Sequence, residues 1–339
     1  MAIDELRERL DALFPQLVDE LSQLVAIPSV SSDPSHNADV ERSAEHIRSR
    51  FEALGLDAQI HSVTTPEGVK GKPAILARSA HIEGAPTVLL YAHHDVQPTG
   101  DLSRWHSDPW KTVVKGDRIY GRGTSDDGAG VIVHLGSLSL LGKELRANVV
   151  VYIEGEEEIG SSSLDKWLDS HKELVKSDII LISDTSMMGP NIPSITVGLR
   201  GLCYVMVEVT GPNVDLHSGL YGGAVANPVN VLAKMIGQLL DEKGRVTVPG
   251  FYDDVLEVSE AERQNMARAP FDKAQYMRDL DVEELQGEEG FSTLERTGIR
   301  PTCDVNGIWG GYIGEGAKTI IPAKAYAKIS MRLVPNQDF

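Results

Sequence analysis

Apolar residues recur every three or four positions near the start of the chain. Leu6, Leu10, Leu13, Leu17, Leu21 and Leu24 fall on one side of a predicted helix over about residues 4–25. Ile27-Pro28-Ser29 ends it, and a second helical pattern covers about 38–54 and closes at Gly55. The apolar runs at 87–92, 148–153 and 178–183 do not alternate, which predicts buried strands of the parallel type. Helical patterns separate them, around 128–141 and 162–175. Strand alternating with helix predicts a doubly wound α/β domain, placed at residues 1–200.

The pattern changes after Gly201. Residues Tyr204 to Val209 alternate as a half-buried strand does, and Ala226 to Leu240 read as an amphipathic helix. Val305 to Ile308, Thr319 to Ile321 and Tyr326 to Val334 are further strand candidates. Residues 201–339 therefore predict a smaller α+β domain, an open sheet with helices on one face. The stretch 251–290 carries 12 acidic and 4 basic residues at helical spacing and reads as a solvated helical insertion.

Charge narrows the possible partners. With 32 basic against 50 acidic residues and a net charge of −18, the chain is expected to bind neither nucleic acid nor anionic membrane surfaces. No apolar stretch approaches the roughly 20 residues that span a bilayer. The start, Met1 to Leu13, mixes charged and apolar residues, unlike a signal peptide. Cys203 and Cys303 form no metal-binding pair in sequence and read as reduced thiols, so a soluble cytoplasmic protein is expected.

Four acidic or histidine-bearing clusters follow apolar runs or tight turns. They are His93-His94-Asp95, Gly121-Arg122-Gly123-Thr124-Ser125-Asp126-Asp127-Gly128, Glu154-Gly155-Glu156-Glu157-Glu158 and Ser183-Asp184. Strand ends in such sheets collect ligand-binding groups. Imidazole and carboxylate are the donors that divalent metals take, and a shared cation would offset the desolvation of so many charges. Residues i and i+2 of a strand point the same way, so His93 is the candidate ligand and Asp95 the carboxylate that orients it. Taken singly, each cluster has an ordinary reading: surface histidines, an aspartate capping a helix, a solvated acidic run.

Further motifs carry a family resemblance: Thr196-Val197-Gly198-Leu199-Arg200-Gly201, Asp215-Leu216-His217-Ser218-Gly219, Pro249-Gly250-Phe251-Tyr252-Asp253-Asp254, Lys318-Thr319-Ile320-Ile321-Pro322 and Arg332-Leu333-Val334-Pro335. With the four clusters, they make nearly all of the chain resemble the dizinc metallopeptidases that include carnosine dipeptidases, peptidase V, aminoacylase and carboxypeptidase G. Within that family it resembles the cytosolic non-specific dipeptidase and its bacterial relatives. The resemblance implies two Zn2+ ions (Mn2+ or Co2+ being alternatives), with His93 and Asp184 on one, Glu158 on the other and Asp126 between them. It implies Glu157 as general base for a hydroxide bridging the metals, with Asp95 supporting the site, and a cis Asp126–Asp127 peptide. It further implies a homodimer formed through the smaller domain, with His217 stabilising the oxyanion in the neighbouring subunit and Thr319 and Arg332 holding the peptide. Aspartate at position 184 resembles the family's dipeptidases and aminopeptidases more than its deacylases.

Two departures stand out. The family often has lysine where Gly128 stands. No histidine follows His217, whereas the family supplies the second zinc's histidine from a later segment, so the chain is expected to be incomplete and weakly active or inactive alone. The alternatives to dipeptide hydrolysis are deacylation of N-acyl amino acids and a non-catalytic dimerisation or binding fragment.

Overall fold

The computed structural model describes residues 3–64, 68, 70–189 and 192–338. Two compact units divide between Ser186 and Met187.

The first unit runs α1 (Ile3–Val25), α2 (Asn37–Ala53), β1 (Asp57–His61), β2 (Ala74–Arg78), β3 (Thr87–His93), β4 (Val113–Lys115), β5 (Arg118–Tyr120), α3 (Gly128–Leu141), β6 (Asn148–Glu154), α4 (Leu164–Val175) and β7 (Ile179–Ile182). Its five-stranded sheet has the order β1-β2-β6-β3-β7. β3 pairs in parallel with both β6 and β7, while β1 and β2 add an antiparallel flank. The small β4–β5 hairpin stands apart from it.

The continuous apolar runs are explained by a sheet covered on both faces. Val149, Val151 and Ile153 of β6 face α1, α2 and α3, where Leu24, Ile47, Phe51 and Val131 are buried. Val150 and Tyr152, pointing the other way, pack with Trp167 of α4. Every residue of β6 is buried. The run at 178–183 departs from expectation: β7 is a parallel strand, but all four of its residues are exposed. It is the edge of the sheet, and an apolar run does not reveal a strand's place in the sheet order.

The second unit contains β8 (Gly201–Thr210), β9 (Leu216–His217), α5 (Ser218–Tyr221), α6 (Pro228–Ile236), α7 (Glu260–Ala267), α8 (Lys273–Leu280), α9 (Thr293–Gly298), β10 (Thr302–Gly310), β11 (Ile320–Ile321) and β12 (Lys324–Leu333). An antiparallel sheet of order β10-β12-β8 buries Cys303, Ala325 and Ala327 with Leu232 of α6, and half-buried Val205 and Val207 pack against them. The alternation of β8 is real: Leu202, Tyr204 and Met206 are exposed, while Cys203, Val205 and Val207 are half-buried. α6 is shorter than its amphipathic pattern because Asn227 caps it at one end and Gly237 closes it at the other. The acidic insertion holds α7 and α8, neither of which buries a residue.

Candidate metal and catalytic site

Parallel pairing of β3 with β6 and β7 brings His93, the 154–158 segment and Asp184 to the carboxyl ends of neighbouring strands. His93 is fully buried. Its Nδ1 lies 3.0 Å from the Asp95 carbonyl oxygen, an acceptor, so Nδ1 carries a proton and Nε2 is the nitrogen turned toward the carboxylates of the site. Nε2 stands 3.0 Å from Asp126 Oδ1 and 3.9 Å from both Asp184 Oδ2 and Glu157 Oε2. Donor atoms of His93, Asp126 and Asp184 all lie within 4.8 Å of one another. One imidazole and two carboxylates suit a divalent cation, and the carbonyl behind Nδ1 is the partner that orients a metal-binding histidine.

Asp95 holds this arrangement together. Its carboxylate accepts from Glu157 N through Oδ1 and from Glu158 N through Oδ2, both at 3.1 Å. It thereby fixes the short helical turn Glu157–Ile159 against the end of β3. Glu157 is held beside His93, whereas Glu158 turns to Gln97, whose Nε2 donates to Glu158 Oε2 at 2.8 Å. Asp127 divides similarly from Asp126. It is buried, accepts from His93 N and Gly130 N at 3.1 Å each, and caps α3. The capping reading is therefore right for Asp127, while Asp126 extends its side chain, 67% exposed, toward His93. The Asp126–Asp127 peptide is cis. A Cβ on Gly128 would meet the Gly123 carbonyl oxygen at 2.5 Å, so this backbone admits no side chain there.

Charges at the site push one another. Burial raises the carboxyl pKa values of Glu157, Glu158 and Asp184, and neighbouring carboxylates add to the effect. Burial takes Asp127 up to about 7. On His93, burial opposes the charge, but hydrogen bonding to Asp95 and the charges of Asp95, Asp127 and Asp184 prevail and raise its pKa to about 10. Burial likewise opposes charge on Asp95, yet His93 holds its carboxyl below the usual range. A crowd of carboxylates that disfavour one another's ionisation has the electrostatics of a cation site.

The other expected residues lie in the second unit. His217 Nε2 is 3.1 Å from Thr319 Oγ1, and its Nδ1 accepts from Gly219 N at 3.0 Å. The β9–β11 pairing sets that contact by placing His217 opposite Ile320. Arg332 is exposed near the end of β12, between Leu202 of β8 and Thr302 of β10. Sequence reasoning did not single out Gln97, and it offered a capping aspartate without saying which of Asp126 and Asp127 caps the helix. It also missed His94, which bonds Ser43 Oγ at 3.1 Å and Pro73 O at 2.9 Å and so anchors the strand end to α2. Gln97 lies two residues beyond Asp95 and continues its alternation, the one available signal.

The model of Peptidase family M20/M25/M40 matches residues 89–313, and the chain belongs to that family of hydrolases. It is similar to the Cys-Gly metallodipeptidase dug1 of Schizosaccharomyces pombe, 34% identical over all of this chain and 73% of that protein. The solved structure of the dipeptidase Dug1p from Saccharomyces cerevisiae superposes with a TM-score of 0.85 at 30% identity, covering 99% of this chain and 73% of that one. A metallo-carboxypeptidase of the M20 family from Sulfolobus solfataricus, Sso-CP2, superposes at 0.82 with 34% identity, covering 95% and 72%. The expected doubly wound α/β fold with a second α+β unit is the family's.

The Asp95 clamp makes a measurable prediction. Asparagine keeps the shape but offers only one acceptor oxygen, so Asp95→Asn leaves one of the two amides facing an NH2 group. Hydrogen exchange at Glu157 and Glu158 should accelerate by about tenfold or more, the consequence of losing a buried charged acceptor. Unchanged protection would remove Asp95 from this role.

Proposed function

We propose that this protein hydrolyses dipeptides or short peptides with the help of two divalent ions, zinc in our reading, held by His93, Asp126, Glu158 and Asp184. The supporting observation is the convergence of His93, Asp126 and Asp184 beside Glu157 in a chain of this peptidase family. Bound metal supplies Lewis-acid activation of water and of the scissile carbonyl; manganese and cobalt suit the same donors. Glu157, partly exposed and with its pKa raised by burial, takes the proton from the attacking water and returns it to the leaving amine nitrogen. Asp95 fixes where that carboxylate stands, and Gln97 aims Glu158.

In the same reading the chain forms a homodimer through its second unit. His217 stabilises the oxyanion of the neighbouring subunit, its ring oriented by Thr319, and Arg332 pairs with the peptide's carboxylate through its fork of donors. The free cysteines Cys203 and Cys303 support a reducing, cytoplasmic setting. No helix among the described residues is long and apolar enough to cross a membrane.

The likeness to Sso-CP2 favours a second reading, a carboxypeptidase acting on longer chains. Asp184, by its resemblance to the dipeptidase branch, argues for the first. Turnover of Cys-Gly and alanyl dipeptides, set against longer peptides and N-acetyl amino acids, decides between these and deacylation. Preference for either of the latter would overturn the dipeptidase reading.

Three outcomes are expected. Metal-free His93, with its pKa near 10, is cationic at pH 7, so zinc must displace its proton. Zinc titration in weak buffer should release about one proton from this residue, and apparent affinity should rise with pH toward 10. Absence of proton release would exclude His93 as a ligand.

Glu157→Gln should lower turnover by roughly 10²–10⁴-fold, the range for a general base, while retaining metal. Glu158→Gln should instead lose metal from one site. Equal metal loss in the two variants would refute the division of roles.

Mixing Glu157→Gln subunits with His217→Ala subunits should restore one working site per mixed dimer. Confirmed heterodimers without recovered activity would show that His217 does not act across the interface.

A further inference from the structure

Residues 241–300 of the second unit hold a group of arginines that the peptidase reading does not use. Arg300 and Glu288 are both buried and form a two-pronged pair, Nε to Oε2 and Nη2 to Oε1, each at 2.7 Å. Arg245 Nη1 donates to the same Glu288 Oε1 at 3.0 Å, and its guanidinium lies 3.7 Å from the centre of the Tyr252 ring. Arg263 Nη2 donates to Gly290 O at 2.7 Å. Its Nε is 2.7 Å from Glu295 Oε1 but off the hydrogen-bond line. Arg300 and Arg263 also lie over Phe291, at 4.3 and 5.1 Å.

The three arginines and two rings border a cavity of about 380 Å³, completed by Val255, Leu256, Glu257 and Val258. Three guanidinium groups meet two buried carboxylates there, so one positive charge is left over. Glu257, exposed on the wall, is screened by solvent and offsets this only weakly. The surplus is local to the cavity, since the stretch 251–290 as a whole carries 12 acidic and 4 basic residues.

Donor capacity is also left over. Nη1 of Arg300, Nη1 of Arg263, and Nε and Nη2 of Arg245 make no hydrogen bond among the described residues. Anchoring this segment requires the Arg300–Glu288 pair, but it does not require unused donors on three arginines around one cavity. Guanidinium forks match carboxylates in geometry, and aromatic faces hold the forks flat. Val255, Leu256 and Val258 give the same lining an apolar part, with Leu256 60% exposed, beside the exposed Glu257. Charged anchors together with apolar side chains fit a ligand with one charged end and one greasy end.

We propose that this cavity binds a small organic monocarboxylate. Its carboxylate sits on the free donors of Arg245, Arg263 and Arg300, and its apolar group lies against Val255, Leu256 and Val258. The test is calorimetric titration of the metal-loaded full chain with hexanoate at constant ionic strength, beside inorganic phosphate. Hexanoate should bind saturably and more tightly than phosphate. Arg245→Gln/Arg263→Gln should weaken it by about tenfold or more, the scale of losing a charge-assisted bidentate contact, with dipeptide turnover unchanged. Both arginines are partly exposed, at 49% and 39% of the side chain, so the fold does not depend on burying them. Leu256→Asp, which leaves every arginine in place, should weaken hexanoate as well. No saturable binding, or binding unaltered in both variants, would overturn the site. Phosphate binding as tightly as hexanoate would overturn the choice of an apolar carboxylate.

Discussion

The grip of one buried carboxylate on two backbone amides organises this site. Asp95 lies just past the end of β3, fully buried, and accepts from Glu157 N and Glu158 N while its own carbonyl oxygen faces His93 Nδ1. A buried carboxylate is costly unless its oxygens are hydrogen-bonded, and here both are. The same bonds that stabilise the charge join the segment after β6 to the end of β3. Moving Asp95 would shift His93, Glu157 and Glu158 together, so these three residues share one reference point.

Topology supplies the remaining coordination. His93, Asp126, Glu157 and Asp184 are far apart in sequence, but parallel strands joined by crossover helices release the chain at the same end of the sheet each time. Asp127 performs the bond between crossover and strand. It caps α3 through Gly130 N and reaches His93 N of β3, tying the helix start to the strand end. Neighbouring residues thus turn different ways: Asp127 is buried against β3 and α3 while Asp126 reaches His93, and Glu157 stands beside His93 while Glu158 turns to Gln97.

Much of this was legible from the sequence, and the boundary between what was and was not is physical. Helical spacing located α1 and α2, and continuous apolar runs located β3 and β6, because burial on both faces leaves no polar positions. β1 and β2 were missed. β1 is short and mostly exposed, and β2 has the buried apolar run of an inner strand but only four residues of it, too short to tell strand from helix. β7 has the composition of a buried strand but lies at the sheet edge, a fact held by topology alone. At the site, residue alternation paired His93 with Asp95, yet nothing in the sequence says that Asp95 accepts from amides some sixty residues on.

Gly128 shows how a departure from a family's habit can follow from the geometry of the same turn. The turn from Gly121 to Asp127 folds back so closely that Gly128 N donates to Gly123 O at 2.9 Å. A Cβ at 128 would lie 2.5 Å from that oxygen and 3.0 Å from Leu21 Cδ1. Gly123 adopts a positive φ of 75°, a conformation glycine takes at no steric cost. Two glycines therefore let the turn close against α1 while Asp126 extends toward His93 and Asp127 stays buried beneath it. A lysine at 128 would require the turn to open. Since Asp126 and Asp127 are its next residues back, that opening would be felt first at the His93 donor and at the cap of α3. Glycine here is best read as part of what sets the position of Asp126, rather than as a side chain lost from the site.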